Sequence, residues 1–354
     1  NKLGFALEAT TFAVQQLRPS DQVSLTIFDD RVETIVPSTL AVNKDRIIQL
    51  IRQVRPGGST ALYGGWQEAG QQVIRSFMAH GLNRVLLISD GLANVGETNP
   101  NVIAGHVKLM AQKGVSCTAM GVGNDFNEDL LQAMARAGDG NYFYIESPRQ
   151  LPDIFQTELQ GLVRTMGHYV SLGIEPQDGV TVLDVLNDLE RTSYGRLKLS
   201  NLIGGIPIEV VIRLNVARPN RLGELCRFRL AWNDPHCVER RSLTSPLILP
   251  WVSSAEWSRL APNPLVQEHI ALLQIARLKK QASEHMDKGN RESARRCLQA
   301  ARELLTTIPS ASVANDEAPA IARIEASLES GDFLRSAKEA KYQHYWRTRS
   351  RPQT

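Results

Sequence analysis

Two short loops concentrate the residues of this 354-residue chain that could do chemistry. The first, Gly57-Gly58-Ser59-Thr60-Ala61-Leu62, sets two conformationally free glycines before a pair of hydroxyls at the start of a helical pattern. The second, Ile88-Ser89-Asp90-Gly91-Leu92-Ala93-Asn94-Val95-Gly96, ends an apolar run on a carboxylate, and Gly91 then frees the backbone to turn. A threonine hydroxyl and an aspartate carboxylate are hard oxygen donors, suited to Mg²⁺ and also to Mn²⁺ or Ca²⁺. Each loop alone also has an ordinary reading: Ser59-Thr60 as a helix cap, Asp90-Gly91 as a strand-to-helix turn. Gly121-x-Gly123 follows an apolar strand as a dinucleotide loop would, but Phe126 occupies the place of the third glycine. His106, among Val102, Ile103 and Met110, reads as a packed core histidine rather than a ligand. Asp29-Asp30 reads as a hairpin turn, and Asp125, Glu128 and Asp129 as the acidic start of a helix. No G-x-S-x-G, Walker loop or H-E-x-x-H occurs, and no nucleophile stands with a base, so a non-enzymatic role is expected.

The elements that must position these loops alternate in kind. Leu3, Ala6, Leu7, Thr10, Ala13, Val14 and Leu17 recur at helical spacing and Pro19 closes that helix. Strands are expected at 23–28 and 32–36 as a hairpin, then at 84–89, 115–122 and 142–145, with helices at 47–54, 62–73, 102–113, 127–137 and 148–165 between them. That order is the pattern of a doubly wound, mainly parallel α/β sheet over residues 1–165. In such a sheet ligands bind outside the carboxyl ends of the strands, where Asp90 falls. After residue 166 the period becomes two: Ile208, Val210, Ile212 and Leu214 alternate, as do Cys226, Phe228, Leu230 and Trp232, which predicts a small antiparallel β-sandwich over 166–252. Residues 253–354 read as a proline-punctuated linker and a helical hairpin region. There Gly289 ends one helix and Asn290 caps the next, and Gly331-Asp332 repeats the junction. The stretch at 288–295 is similar to a tetratricopeptide hairpin, although two such units fall short of a solenoid.

Composition narrows the function classes. With 42% hydrophobic residues, 22% charged residues and a net charge of +3, the chain has neither a membrane-span run nor the concentrated basic face of a nucleic-acid binder. The one basic cluster, Lys338 to Arg351 around Tyr342, Tyr345 and Trp346, reads as the solvated end of a helix. Four scattered cysteines (Cys117, Cys226, Cys237, Cys297) have no zinc-like spacing; a Cys226–Cys237 bridge is conceivable, but a reducing, cytoplasmic setting is favoured. Because residue 1 is Asn and the chain opens on a helix, a signal or anchor is expected, if anywhere, upstream.

Taken together, G-G-S-T-A-L and, about thirty residues later, I-S-D-G-x-x-N-x-G resemble the second and third loops of the metal-ion-dependent adhesion site of von Willebrand factor type A domains. The resemblance continues through Gly121-Val-Gly123, the 127–137 helix and Gly140-Asn-Tyr142, and is closest to bacterial, including cyanobacterial, members with a sandwich and a helical tail. It implies that Thr60 offers its hydroxyl and Asp90 its carboxylate, directly or through water, to one divalent cation. Gly57, Gly58, Ser59 and Gly91 would form the loops. The Asp-x-Ser-x-Ser loop of such domains and the strand before it are not in this sequence, so metal binding by this stretch is expected to be weak. The resemblance further implies a protein partner that presents an acidic group to the metal, with no nucleic acid and no membrane span involved. The alternatives are an accessory or substrate-recognition subunit of a larger machine, such as a ring ATPase or a ubiquitin ligase, and a metal-dependent hydrolase.

Overall fold

The structure, a computed structural model, describes residues 2–79, 81–163, 165–217, 223–234, 239–250 and 252–349. The chain forms two compact units, residues 1–164 and 165–353.

In the first unit α1 (Lys2–Gln16) leads into the antiparallel hairpin β1 (Gln22–Phe28) and β2 (Val32–Leu40). Next come α2 (Lys44–Gln53), α3 (Leu62–Arg75), β3 (Asn83–Ser89), α4 (Pro100–Gln112), β4 (Val115–Val122), α5 (Glu128–Ala137), β5 (Asp139–Ile145) and α6 (Leu151–Val163). β3, β4 and β5 form a parallel sheet in that order, with Asn83 level with Val115 and Ser89 level with Gly121. This is the expected α/β fold with a refinement: the hairpin is a sheet of its own, not hydrogen-bonded to β3, and α3 packs against strands of both sheets. β4 is buried at all but one of its positions, as parallel strands covered on both faces require, and its Ser116 and Thr118 hydroxyls are hydrogen-bonded. Helix starts follow local chemistry: Asn99 and Pro100 open α4, and Asn127 Oδ1 accepts from Leu130 N at 3.0 Å to open α5.

Gly140 lies tight against the β4 backbone, where a Cβ would stand 2.1 Å from the Cys117 carbonyl oxygen. Backbone cannot yield as a side chain can, so Gly140→Ala is expected to lower stability by about 1–3 kcal/mol. An unchanged denaturation midpoint would contradict this.

In the second unit every strand pair is antiparallel. β6 (Thr165–Pro176), β8 (Leu197–Lys198), β11 (Glu224–Asn233) and β12 (Arg240–Ile248) form a sheet in the order β12-β11-β6-β8, with β9 (Leu202–Ile203) also on β6. A second sheet pairs β7 (Val180–Val185) with β10 (Ile212–Val216). The short α7 (Ser254–Trp257) opens on a capping box between Ser253 and Glu256. Four long helices follow: α8 (Pro264–Asp287), α9 (Arg291–Leu305), α10 (Ala311–Glu329) and α11 (Phe333–Thr348). Gly289 has φ +71° before Asn290 caps α9, and Gly331 has φ +84° before Asp332 caps α11, so both junctions use the left-handed glycine and side-chain cap legible in the sequence. Sheet and helices are tied by Arg277, which donates to Asp184 at 2.6 and 3.0 Å and pairs with Asp188 at 2.7 Å, and by Asn187, which donates to the Thr348 carbonyl at 3.2 Å.

The basic, aromatic stretch in α11 is not a solvated end. Tyr345 and Trp346 are fully buried and Lys338 is 3% exposed, because α11 is the inner helix packed along α8 and against α10. Cys117, Cys226 and Cys297 are free thiols, and burial pushes Cys117 up to about 12. Cys237, and with it the conceivable bridge to Cys226, lies outside the described residues.

Candidate functional site

The two loops singled out in the sequence meet at the carboxyl edge of the first unit. Asp29 directly follows β1, and its carbonyl accepts from Ala61 N at 2.6 Å. Asp90 directly follows β3, and the loop beyond it returns to the same place: Asn94 Oδ1 accepts from Thr60 N at 2.8 Å, while Asn94 N and Val95 N donate to the Thr60 carbonyl at 3.2 and 3.4 Å. The Thr60 peptide is therefore clipped on both sides by the loop that carries Asp90. A Cβ placed on Gly91 would stand 3.1 Å from Thr60 Oγ1, so the hydroxyl lies against the residue next to Asp90. Ser89 Oγ donates to the Gly91 carbonyl at 3.2 Å and tightens the turn.

The glycines act by space more than by conformation. Gly57 faces Asp29, where a Cβ would fall 2.2 Å from the aspartate Cβ, whereas Gly58 is open and neither has positive φ. The ordinary cap reading of Ser59-Thr60 does not hold, because the cap position of α3 is Ala61 and no side chain caps that helix. Asp90 is half-buried, and among the described residues neither its carboxylate nor the Thr60 hydroxyl has a hydrogen-bond or ion-pair partner. Two unengaged hard oxygen donors beside one turn fit a Mg²⁺-like ion that keeps several waters. They do not form a closed cage, and among the described residues no group of three or more His, Cys, Asp or Glu could hold a metal.

Other candidates resolve differently. His106 is exposed on α4, its Nδ1 2.9 Å from the Tyr63 hydroxyl, so the packed-core reading is corrected: α4 turns that position to solvent. Phe126 presses its ring on Gly121, where a Cβ would fall 2.4 Å away, so the ring occupies the space a dinucleotide loop would leave open. Asp29 does form the hairpin turn, its Oδ1 accepting from Arg31 N at 2.8 Å. That hydrogen bond and one with Asp30 hold its carboxyl below the usual range. Sequence reasoning missed the tethers made by Asn94 and by the Asp29 carbonyl. The motif position of Asn94 was the available signal; the carbonyl had none.

An open parallel sheet with ligand-type loops at its carboxyl edge defines a class of binding domains. Residues 5–157 match the model of the von Willebrand factor type A domain. The chain is 31% identical over 163 residues to the uncharacterized protein YfbK of Escherichia coli (strain K12), covering 46% of this chain and 28% of that protein. It is 22% identical over 303 residues to the uncharacterized protein sll0103 of Synechocystis, covering 81% of this chain and 71% of that protein. Among solved structures, a von Willebrand factor type A protein from Catenulispora acidiphila superposes with a TM-score of 0.66 at 17% identity, covering 91% of this chain and 78% of that one. No helix among the described residues is long and apolar enough to cross a membrane.

Proposed function

We propose that the chain is a non-enzymatic protein-binding module whose first unit, residues 1–164, captures an acidic group of a partner through a divalent cation held by Thr60 and Asp90. The observation that carries this reading is the pair of unengaged oxygen donors at one turn, with Thr60 clipped to the Asp90 loop by Asn94. Mg²⁺ is the preferred ion; when bound it would supply a Lewis-acidic position open to a partner carboxylate. The separate hairpin sheet supports a further part of the proposal, that a parallel strand between β1 and β3, with an Asp-x-Ser-x-Ser loop at its end, completes the domain in the whole protein. Residues 166–252 and 253–354 are proposed as scaffold surfaces.

Two outcomes are expected. Residues 1–354 alone bind Mg²⁺ weakly by calorimetry, since two protein donors leave most of the coordination to water. In a protein that includes the completing loop, Asp90→Ala abolishes metal-dependent partner capture while the melting temperature stays within a few degrees, because a half-exposed loop carboxylate contributes little to the core. Partner capture that survives both chelator and Asp90→Ala would overturn the mechanism.

A further inference from the structure

We propose that the second unit carries a separate docking face for an acidic polypeptide segment, built from Arg196, Arg229 and Arg240 on one side of the β12-β11-β6-β8 sheet. This goes beyond the metal-dependent reading and does not depend on it.

Alternation puts Arg227, Arg229 and Ala231 of β11 on one face, level with Glu175, Gly173 and Ser171 of β6 and with Pro246, Thr244 and Ser242 of β12. Gly173 leaves the centre of that face low, and the cations surround it: a Cβ there would stand 3.7 Å from Arg229 Cβ and 3.9 Å from Arg196 Nε. Arg240 reaches in from the edge strand. Its Nη2 donates to the Ala231 carbonyl at 3.3 Å, to Ser171 Oγ at 2.9 Å and to the Tyr169 carbonyl at 3.1 Å, and its Nη1 donates to Asn233 Oδ1 at 2.7 Å. Every one of these acceptors is neutral, so the guanidinium is fixed in place without being compensated.

Partial burial and the like charge of Arg196 both lower the affinity of Arg240 for its proton. Of the nearby carboxylates, Glu224 pairs with Arg227 at 3.0 Å and Asp234 with Arg241 at 2.9 Å, while Glu175, level with Arg227 at the margin of the face, is exposed and forms no ion pair with the three arginines. Among the described residues no ion pair joins Arg196, Arg229 or Arg240 to a carboxylate. Like charges held together in a folded protein are relieved by an anion, and the guanidinium fork matches a carboxylate with two parallel hydrogen bonds.

The face spans three strands roughly 4.8 Å apart, a width that alternate side chains of an extended peptide can follow. Phe228 and Trp232 of β11 alternate to the opposite face, and no aromatic residue stands among the strand positions level with Arg227, Arg229 and Ala231, so the centre of the face around Gly173 offers bases no ring to stack on, the aromatic His168 lying at its margin level with Asn233. An acidic peptide is therefore favoured over a single-stranded nucleic acid.

The test is fluorescence anisotropy of the whole chain with a labelled deca-glutamate peptide, in low salt of about 50 mM and again near 300 mM, where screening is stronger. Binding that weakens with salt is expected, and it should fall at least about tenfold in Arg196→Ala/Arg229→Ala, as loss of two charge-assisted contacts predicts. Arg229→Glu alone should do the same, while Arg295→Ala/Arg296→Ala, which removes equal charge from α9, should change affinity less than about twofold. Absence of binding at low salt, an equal loss in the α9 variant, tighter binding of a thymidine decanucleotide, or full competition by inorganic phosphate at millimolar concentration would each overturn the proposal.

Discussion

Glu158→Ala is expected to lower the stability of the first unit by about 3–5 kcal/mol, the usual cost of stripping a buried charge of its partner. Glu158 lies on α6 with its side chain fully buried, paired to Arg84 on β3. The same carboxylate accepts from Thr118 Oγ1 on β4 at 2.5 Å and from Asn141 Nδ2 on β5 at 2.7 Å. One side chain thus ties α6 to all three parallel strands, on the sheet rather than at the Asp90 edge. Removing it leaves Arg84, 11% exposed at its side chain, without its counter-ion. Glu158→Gln should also destabilise, because three donors converge on an acceptor-only group and an amide must turn a donor toward one of them.

The acid dependence has a definite sign. Burial raises the Glu158 pKa, but the Arg84 charge and the three hydrogen bonds together outweigh it and hold the group below its ordinary 4.5. A carboxyl depressed in the folded state contributes stability that is fully present above pH 4.5 and is lost as pH falls through the folded value. Urea midpoints followed by hydrogen exchange of β3–β5 peptides between pH 3 and 7 would show a steeper acid loss in wild type than in Glu158→Gln. Equal midpoints for wild type and Glu158→Ala at neutral pH would refute the argument.

The second large effect is an asymmetry inside the helical region. Lys279 on α8, 2% exposed, pairs with Glu317 on α10, whose other oxygen accepts from Arg347 on α11 at 2.7 Å. Glu317→Ala leaves a buried ammonium unpaired and is expected to cost about 3–5 kcal/mol. Lys279→Met removes the ammonium and keeps an unbranched apolar chain in its place, while Arg347 still neutralises Glu317; because no buried charge is left alone, a smaller loss than that of Glu317→Ala is expected. In the Lys279→Met background, Glu317→Ala should cost markedly less than alone, the coupling a double-mutant cycle reads. Denaturation followed by far-ultraviolet circular dichroism of the four proteins tests this, and strictly additive losses would show that the pair is not coupled.

What the sequence by itself determined about this protein is what depends on near neighbours along the chain. Alternating helix and strand periods placed the α/β unit, the change to period two placed the antiparallel strands, and Asn127, Asn290 and Gly331-Asp332 marked helix ends through bonds spanning a few residues. The Thr60 and Asp90 loops were legible because glycine and hydroxyl or carboxylate types at fixed spacing are local chemistry.

Tertiary structure decided the contacts between distant segments. Arg84 and Glu158 are 74 residues apart, Lys279 and Glu317 are 38, and Asn94 and Thr60 are 34, so no local period announces that they meet. The same reason separates α11 from its sequence appearance. A stretch rich in lysine, arginine and aromatics looks solvated until Glu317 from another helix compensates its charge and α8 covers its rings. His106 stands among apolar neighbours in sequence, yet α4 turns it outward. Arg196, Arg229 and Arg240 come from separate segments and become one charged face only because the strand order β12-β11-β6-β8 and its register bring them around Gly173. Periodicity reports which face of an element is apolar; which charges meet across elements follows from packing, where burial sets a high cost on any charge left alone.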